Sequence, residues 1–307
     1  MHDIITIGSA TVDMFMKSQA FHLEPTDKGI LLCQEYGGKL DIDEFSVQSG
    51  GAGTNAAVGF TRLGFQTAAV VEIGKDLFGQ MVWDDLKREQ VDTSFVVSEK
   101  SEQTAVSVLL ISGDGGRSAL THRGASSMLE ARDLPWQALR DTRWIHLSNI
   151  SGNKELLMRL FDHLHNTEVG LSWNPGHLEL ELLATRQLAV SSIKCDVLFV
   201  NKEEWAVLQQ VQQEVLQQVP YVLVTNGADG GTVYLHNESP IPYTVIKVTT
   251  VQETGAGDAF AVGYIAAHLS SKSVLECIEW GKRNAASVVQ KMGAKPGLLN
   301  RKEIENV

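Results

Sequence analysis

Cysteine is scarce in this chain. Cys33, Cys195 and Cys277 are odd in number, far apart and form no C-x-x-C pair. That speaks against a disulfide framework, and the thiols read as buried and reduced in a cytoplasmic protein. Positive charge is also in the minority: Lys+Arg is 26 against Asp+Glu 37, a net charge of −11, with no basic run. Such a balance disfavours nucleic acid and anionic membranes as partners, while leaving room for a local positive pocket that takes phosphate. No apolar run approaches the ~18 residues of a membrane span. Met1-His2-Asp3 leads straight into Ile4–Ile7, without the basic and apolar regions of a secretory signal. The nine histidines form no H-E-x-x-H and no cluster with cysteine, which disfavours a catalytic zinc. There is no G-x-x-x-x-G-K-[ST], so phosphate chemistry here needs another cradle than the P-loop. A G-x-S-x-G elbow is missing too, which speaks against an α/β hydrolase.

What is present suffices for a large core: 43% of 307 residues are hydrophobic. Ile4–Ile7, Thr67–Ile73, Trp144–Ser148, Val169–Trp173, Val197–Val200 and Tyr221–Thr225 read as strands. Several are unbroken apolar runs, as strands covered on both faces require. Asn55–Leu63, Leu77–Glu89, Lys154–Asn166 and Glu203–Val219 read as helices between them. In the last of these the glutamines of residues 209–218 form a solvated face, with apolar residues at helical spacing. The alternation predicts a mostly parallel sheet with helices on both faces. Residues from about 12 to 46 and from about 93 to 122 look like strands without helices. Thr104–Ser112 is one of these strands, and it runs into the hairpin-type turn Gly113–Gly116. The two insertions predict a small β layer that serves as a lid over a site or as a structural addition. No internal repeat is visible.

Four segments carry chemistry. Thr254-Gly255-Ala256-Gly257-Asp258-Ala259-Phe260 follows the β-type run Tyr243–Val251 and opens a helix over Phe260–Leu269. A Gly-Ala-Gly turn at a helix start aims free amides at one point and makes an anion site. Asp258 beside it is either a charge that complements the helix dipole or a base for a hydroxyl attacking phosphorus. Gly50-Gly51-Ala52-Gly53-Thr54-Asn55 is the second. Its G-x-G-x-x-A spacing, with Glu72 about twenty residues on, matches a dinucleotide fingerprint. However, residues 40–49 are too polar for the buried strand that fingerprint needs. The other reading is a glycine-walled pocket in which Asn55 meets a polyol. Asn201-Lys202-Glu203-Glu204 is a capping box by pattern, or a pair that faces phosphates and organises Mg²⁺ through waters. Thr225-Asn226-Gly227-Ala228-Asp229-Gly230 is a tight turn at a strand's carboxyl end, where ligands of open α/β sheets sit. Asp13 lies at such an end as well.

In order and spacing these segments resemble the ribokinase-like (PfkB) family of small-molecule kinases, from the first strand to Gly293. GGAGTNAAVGFTRLG (50–64) and GAGDAF (255–260) are the most specific parts of the match. The resemblance implies one three-layer α/β/α domain over 1–307 with a β lid. It also implies transfer of the ATP γ-phosphoryl group to a primary hydroxyl. Asp258 would be the catalytic base, and Gly255, Ala256 and Gly257 the anion hole. Asp13, Gly50, Gly51 and Asn55 would hold the acceptor, with Arg123, beside the Gly124-Ala125 segment, a further candidate near it. Asn201 and Glu204 would serve Mg²⁺ and phosphate. Thr225, Gly227 and Gly230 would bind the nucleotide, and Asn284, in the last helix, would lie close to adenine. A ketohexose or pentose is the first acceptor reading and a nucleoside the alternative. An NAD-dependent oxidoreductase or a non-catalytic ligand-binding protein is the distant one. Members of the family can dimerise through the lid. Two departures stand out. Gln252 and Glu253 replace the family's Asp or Asn followed by a smaller residue, which speaks against its monovalent-cation site. Ala52 stands where some ribose-specific members carry Lys, which speaks against ribose itself.

Overall fold

Ile4-Ile5-Thr6-Ile7 is fully buried because helices cover both faces of the strand it forms. The computed structural model describes residues 1–27, 29–98 and 101–306. That strand, β1 (Ile4–Ile7), sits in an eight-stranded sheet. From one edge the sheet runs β14 (Ile241–Tyr243), β13 (Gly231–Leu235), β12 (Tyr221–Thr225), β11 (Val197–Asn201), β10 (Gly170–Trp173), β9 (Trp144–Leu147), β1 and β6 (Thr67–Val70). The strands from β12 to β6 are parallel, and β13 and β14 add an antiparallel edge. Alternate residues serve opposite layers. Ile5, Ile7, Ile145, Leu147, Leu198 and Val200 pack beneath α4 (Lys154–Leu164), α5 (His177–Ala184) and α7 (Gln212–Gln218). Ile4, Trp144, Val197, Phe199 and Leu223 face α1 (Ala52–Arg62), α8 (Ala256–Leu269), α9 (Val274–Val288) and α10 (Arg301–Asn306). Three shorter or outlying helices complete the layers: α2 (Leu77–Arg88), α3 (Trp136–Arg140) and α6 (Lys202–Val207). Among the described residues no helix is long and apolar enough to cross a membrane.

The strand-only insertions form a second sheet of order β5 (Glu44–Gly50), β2 (Thr11–Ser18), β7 (Ala105–Ser112) and β8 (Arg117–His122). A separate hairpin joins β3 (His22–Thr26) to β4 (Gly29–Cys33). The second insertion contributes to this second sheet, the expected lid, only from residue 105. Before it, Asp92 and Val97 bridge to Ala68 and Glu72 beside β6, so that stretch belongs to the edge of the main sheet. Glu99 and Lys100 lie outside the described residues.

Three readings from the sequence need correction, and the doubt about a fourth segment is borne out. The run Tyr243–Val251 is a strand only to Tyr243, because β14 is the sheet's edge and the residues after it find no partner strand. The helix expected over 203–219 breaks into α6 and α7. Leu208, Val211, Val215 and Val219 all reach the core, and at the break the Trp205 carbonyl accepts the Leu208 amide at 3.2 Å and the Gln212 side chain at 2.7 Å. α10 follows α9, so Asn284 lies in the penultimate helix. The dinucleotide fingerprint fails because the strand ahead of its glycines, β5, belongs to the lid and pairs antiparallel with β2. Glu72, its acidic member, is fully buried.

Candidate active site

The start of α8 is set by Gly255. Its φ of 82° is left-handed, and a Cβ there would lie 2.3 Å from the Ala294 Cβ. The Ala256 amide donates to the Glu253 carbonyl at 3.2 Å and that of Ala259 to the Gly255 carbonyl at 2.9 Å. Between them, the amides of Gly257 and Asp258 find no acceptor among the described residues. Nothing lies within 4 Å of where a Gly257 Cβ would stand, so this positive helix end is open. Asp258 is the third residue of the helix and half-buried. Asn55 Nδ2 donates to its Oδ2 at 2.9 Å, and Asn174 Nδ2 lies 3.5 Å from its Oδ1. Burial pushes the carboxyl above the usual range. The Asn55 bond pulls it back in part, and the negative charge of Asp13 pushes it further up.

Asp13 sits on β2, 7% exposed, where the lid joins the core. Thr11 Oγ1 donates to its Oδ1 at 3.1 Å, and Ser107 on β7 donates as well. Burial raises this carboxyl too, against the pull of Thr11, Ser107 and the charge of Lys295. Gly50 is adjacent because a Cβ there would fall 2.0 Å from Asp13 Oδ2. Gly51, with φ 94°, packs on the backbone of Ser9, Ala10 and Thr11, which leaves no space for a side chain. It delivers the chain into α1, whose Asn55 is 4% exposed. The Asn55 Oδ1 is buried with no partner among the described residues, a state that ordinarily costs about 1–3 kcal/mol. The structure therefore brings Asp13, Gly50, Gly51, Asn55 and Asp258 into one cleft.

Asn201 and Glu204 form the capping box their spacing predicts. Asn201 Oδ1 accepts the Glu204 amide, and Glu204 Oε2 accepts the Asn201 amide, each at 2.8 Å. Both are half-buried. Burial raises the Glu204 carboxyl, and Glu203 and Asp258 add to the rise through their charge. Thr225 is the register partner of Asn201 at the carboxyl ends of β12 and β11. After it, Gly227 is exposed, with φ 50°, and Gly230, with φ 96°, packs on the Tyr243 carbonyl. This turn is also the hairpin that reverses the chain into β13.

Two candidates stand apart. Asn284 is fully buried: Nδ2 donates to the Ala259 carbonyl at 2.7 Å and Oδ1 accepts the Leu299 amide at 3.0 Å. It ties α9 to α8 and offers no surface to a nucleotide. Arg123 is exposed where β8 leaves the lid. Two residues of the cleft escaped the sequence reading. Asn174 follows β10 in an Asn-Pro-Gly turn, and its place at a parallel strand's carboxyl end was the available signal. Arg117 on β8 donates to Thr254 Oγ1 and so joins the lid to the approach to α8. Nothing in the sequence separates it from any other exposed arginine.

The chain is similar to known proteins over most of its length. The chain is 27% identical to the fructokinase of Escherichia coli over 288 residues, 84% of this chain and 91% of that one. It is 26% identical to the ATP-dependent ribose-1-phosphate kinase of Halopiger xanaduensis, over 85% of this chain and 87% of that one. Its fold matches that of the Arabidopsis thaliana ribokinase complexed with ribose and ATP at a TM-score of 0.80 and 22% identity. The match covers 99% of this chain and 97% of that one. The pattern of the pfkB family carbohydrate kinases matches residues 1–301, so the chain belongs to that family and is a phosphotransferase with an alcohol as acceptor.

Proposed function

We propose that this chain transfers the γ-phosphoryl group of ATP to a primary hydroxyl of a free sugar, a ketohexose or a pentose, with Asp258 as the base. The observation that carries the reading is a half-buried carboxylate, oriented by two amides, beside a helix end with two free N–H groups. Asp258 takes the hydroxyl proton as the new O–P bond forms, and its raised carboxyl makes it a better proton acceptor. The amides of Gly257 and Asp258 receive the charge on the transferred group. Asp13 and the unpartnered Oδ1 of Asn55 accept hydrogen bonds from the other hydroxyls of the acceptor. Thr225, Gly227 and Gly230 line the nucleotide side.

Mg²⁺ fits the same end: Glu204 leaves one oxygen outside its capping box, and one carboxylate with phosphates and waters is a common Mg²⁺ set. Bound there through water by Glu204 and Asn201, the ion would draw charge off the phosphates. Lid residues Arg117 and Ser107 help close the cleft to water, which suppresses transfer to water.

We further propose a homodimer through the lid. Asp13, Phe15, Ser107, Leu109 and Arg117 share the lid face that carries the cleft contacts. Met14, Met16, Phe45, Val108, Leu110 and Leu120 share the other, and all are half-buried or exposed. Phe45 is 62% and Leu120 63% exposed, and a second copy of this face would bury them. Cys195 and Cys277 are buried, and all three cysteines are free, in keeping with a cytoplasmic enzyme.

The test is a panel of free sugars and nucleosides with ATP and Mg²⁺, read by ADP release. A free ketohexose or pentose as best acceptor supports the proposal. A nucleoside as best acceptor replaces the sugar reading, and no release above the acceptor-free rate with any compound removes the kinase reading.

A further inference from the structure

One uncharged side chain holds the loop that feeds α8. Gln252 is 9% exposed. Its Oε1 accepts the Thr254 amide at 2.7 Å. Its Nε2 donates to the Thr254 carbonyl at 3.1 Å and to the Lys291 carbonyl at 3.4 Å. The amides of Val251 and Gln252 both donate to the Val289 carbonyl, at 2.8 and 3.2 Å. Three residues after Gln252, Gly255 packs on Ala294, which like Val289 and Lys291 lies in the stretch after α9. A single carboxamide thus fastens residues 252–254 to the segment that follows α9. The joint lies directly ahead of the free amides of Gly257 and Asp258.

The fold family implies a monovalent cation behind the anion hole, and the donor set here does not fit one. The two carbonyls that converge at this point already accept N–H groups from Gln252. That side chain brings no charge, and Glu253 is exposed to solvent. A cation entering would have to displace the NH₂ group, and the side chain at position 252 would return it no negative charge. The neutral NH₂ group of the carboxamide thus already satisfies the two carbonyl oxygens that a cation here would need.

We propose that Gln252 is a positioning residue that keeps the phosphoryl-binding amides aimed without any bound cation, so that phosphoryl transfer by this chain is independent of alkali ions. The proposal rests on the kinase reading above. Its test compares K⁺ with tetramethylammonium at equal ionic strength, for the unaltered chain, Gln252→Ala and Gln252→Glu. Turnover and thermal midpoint are both read. The unaltered chain is expected to change turnover by less than about threefold between the two cations, with an unmoved midpoint. Gln252→Ala is expected to lose about tenfold or more in turnover, with the KM for ATP and acceptor within about threefold, since the amides act on the transferred group. Gln252→Glu replaces the donor by a carboxylate facing two carbonyls, and is expected to lose as much in tetramethylammonium. In K⁺ it should recover most of that loss, with a higher midpoint. Activation of the unaltered chain by about tenfold or a raised midpoint in K⁺ would overturn the proposal. So would full turnover of both variants without alkali ions. If neither variant shows a folding transition, the two-cation comparison of the unaltered chain decides alone. If that chain turns over no acceptor, the kinase reading is what fails, and the midpoint in K⁺ still reports on the cation.

Discussion

Asp258 is held where a carboxylate is poorly solvated, a placement that opposes stability and that the proposed role as base would put to use. An acid whose folded pKa lies above its unfolded value weakens the fold as pH rises through that window, because the native state binds the extra proton. Asp258→Asn keeps an acceptor for Asn55 and removes the charge. Its melting midpoint at neutral pH is therefore expected above that of the unaltered chain, with the difference vanishing below the ordinary carboxylate value of 3.8. Turnover of the same variant is expected to fall by on the order of 10²–10⁴ with ATP affinity held. An equal midpoint at neutral pH would contradict the desolvated placement, and near-normal turnover the role as base. Asp13→Ala tests the other end of the cleft. Each charge-assisted bond to a hydroxyl contributes about 1.5–3 kcal/mol, so the acceptor KM should rise by about tenfold or more while the KM for ATP stays put. A rise in the KM for ATP would mean that the two ends are reversed. Residues of the cleft were legible in the sequence where they stand inside glycine motifs, as Asp258 and Asn55 do. Asn174 and Arg117 were not, because each enters from a segment whose meaning depends on which strand lies beside it. The burial of Asn284 and its two backbone partners are likewise invisible in one sequence.

At the scale of elements, unbroken apolar runs identified the buried parallel strands, since both faces of the sheet are covered and no alternation is needed. What could not be read was where pairing ends. Tyr243–Val251 has β-type residues throughout, yet only a neighbouring strand makes a strand of them, and β14 is the last. The break between α6 and α7 was hidden for a similar reason. The apolar spacing of 208, 211, 215 and 219 suits a continuous helix, and only the Gln212 contact to Trp205 reveals the turn. The junction ahead of α8 was legible because its chemistry is local: a left-handed glycine and two free amides follow from Gly255-Ala256-Gly257 alone. Gly255→Ala should therefore fail in two ways. A Cβ at φ 82° meets Ala294 at 2.3 Å, which together cost on the order of 1–3 kcal/mol, measurable by chemical denaturation. The displaced amides should lower turnover more than they lower ATP affinity. A variant with unchanged stability would show that the loop relaxes around the methyl group.

Over the whole molecule, the second sheet has two different faces, one carrying Asp13, Ser107 and Arg117 and one apolar and half-buried or exposed. The two strand-only insertions foretold such a layer, but only the register of β5, β2, β7 and β8 sorts its residues by face. Light scattering after size exclusion is expected to give the mass of a dimer, and Phe45→Glu with Leu120→Glu that of a monomer. A monomeric unaltered chain at micromolar concentration would contradict the lid pairing. The central proposal is narrower: that the cleft between Asp13 and Asp258 would place a primary hydroxyl in line with the γ-phosphorus. Its most direct test is phosphorus NMR of the product formed with the best acceptor. ADP and a phosphomonoester should appear in equal amounts, with the ester phosphorus coupled to the two protons of a CH₂ group and neither product accumulating with Asp258→Asn. An ester coupled to a single CH proton, or ADP accompanied by inorganic phosphate alone, would contradict the account.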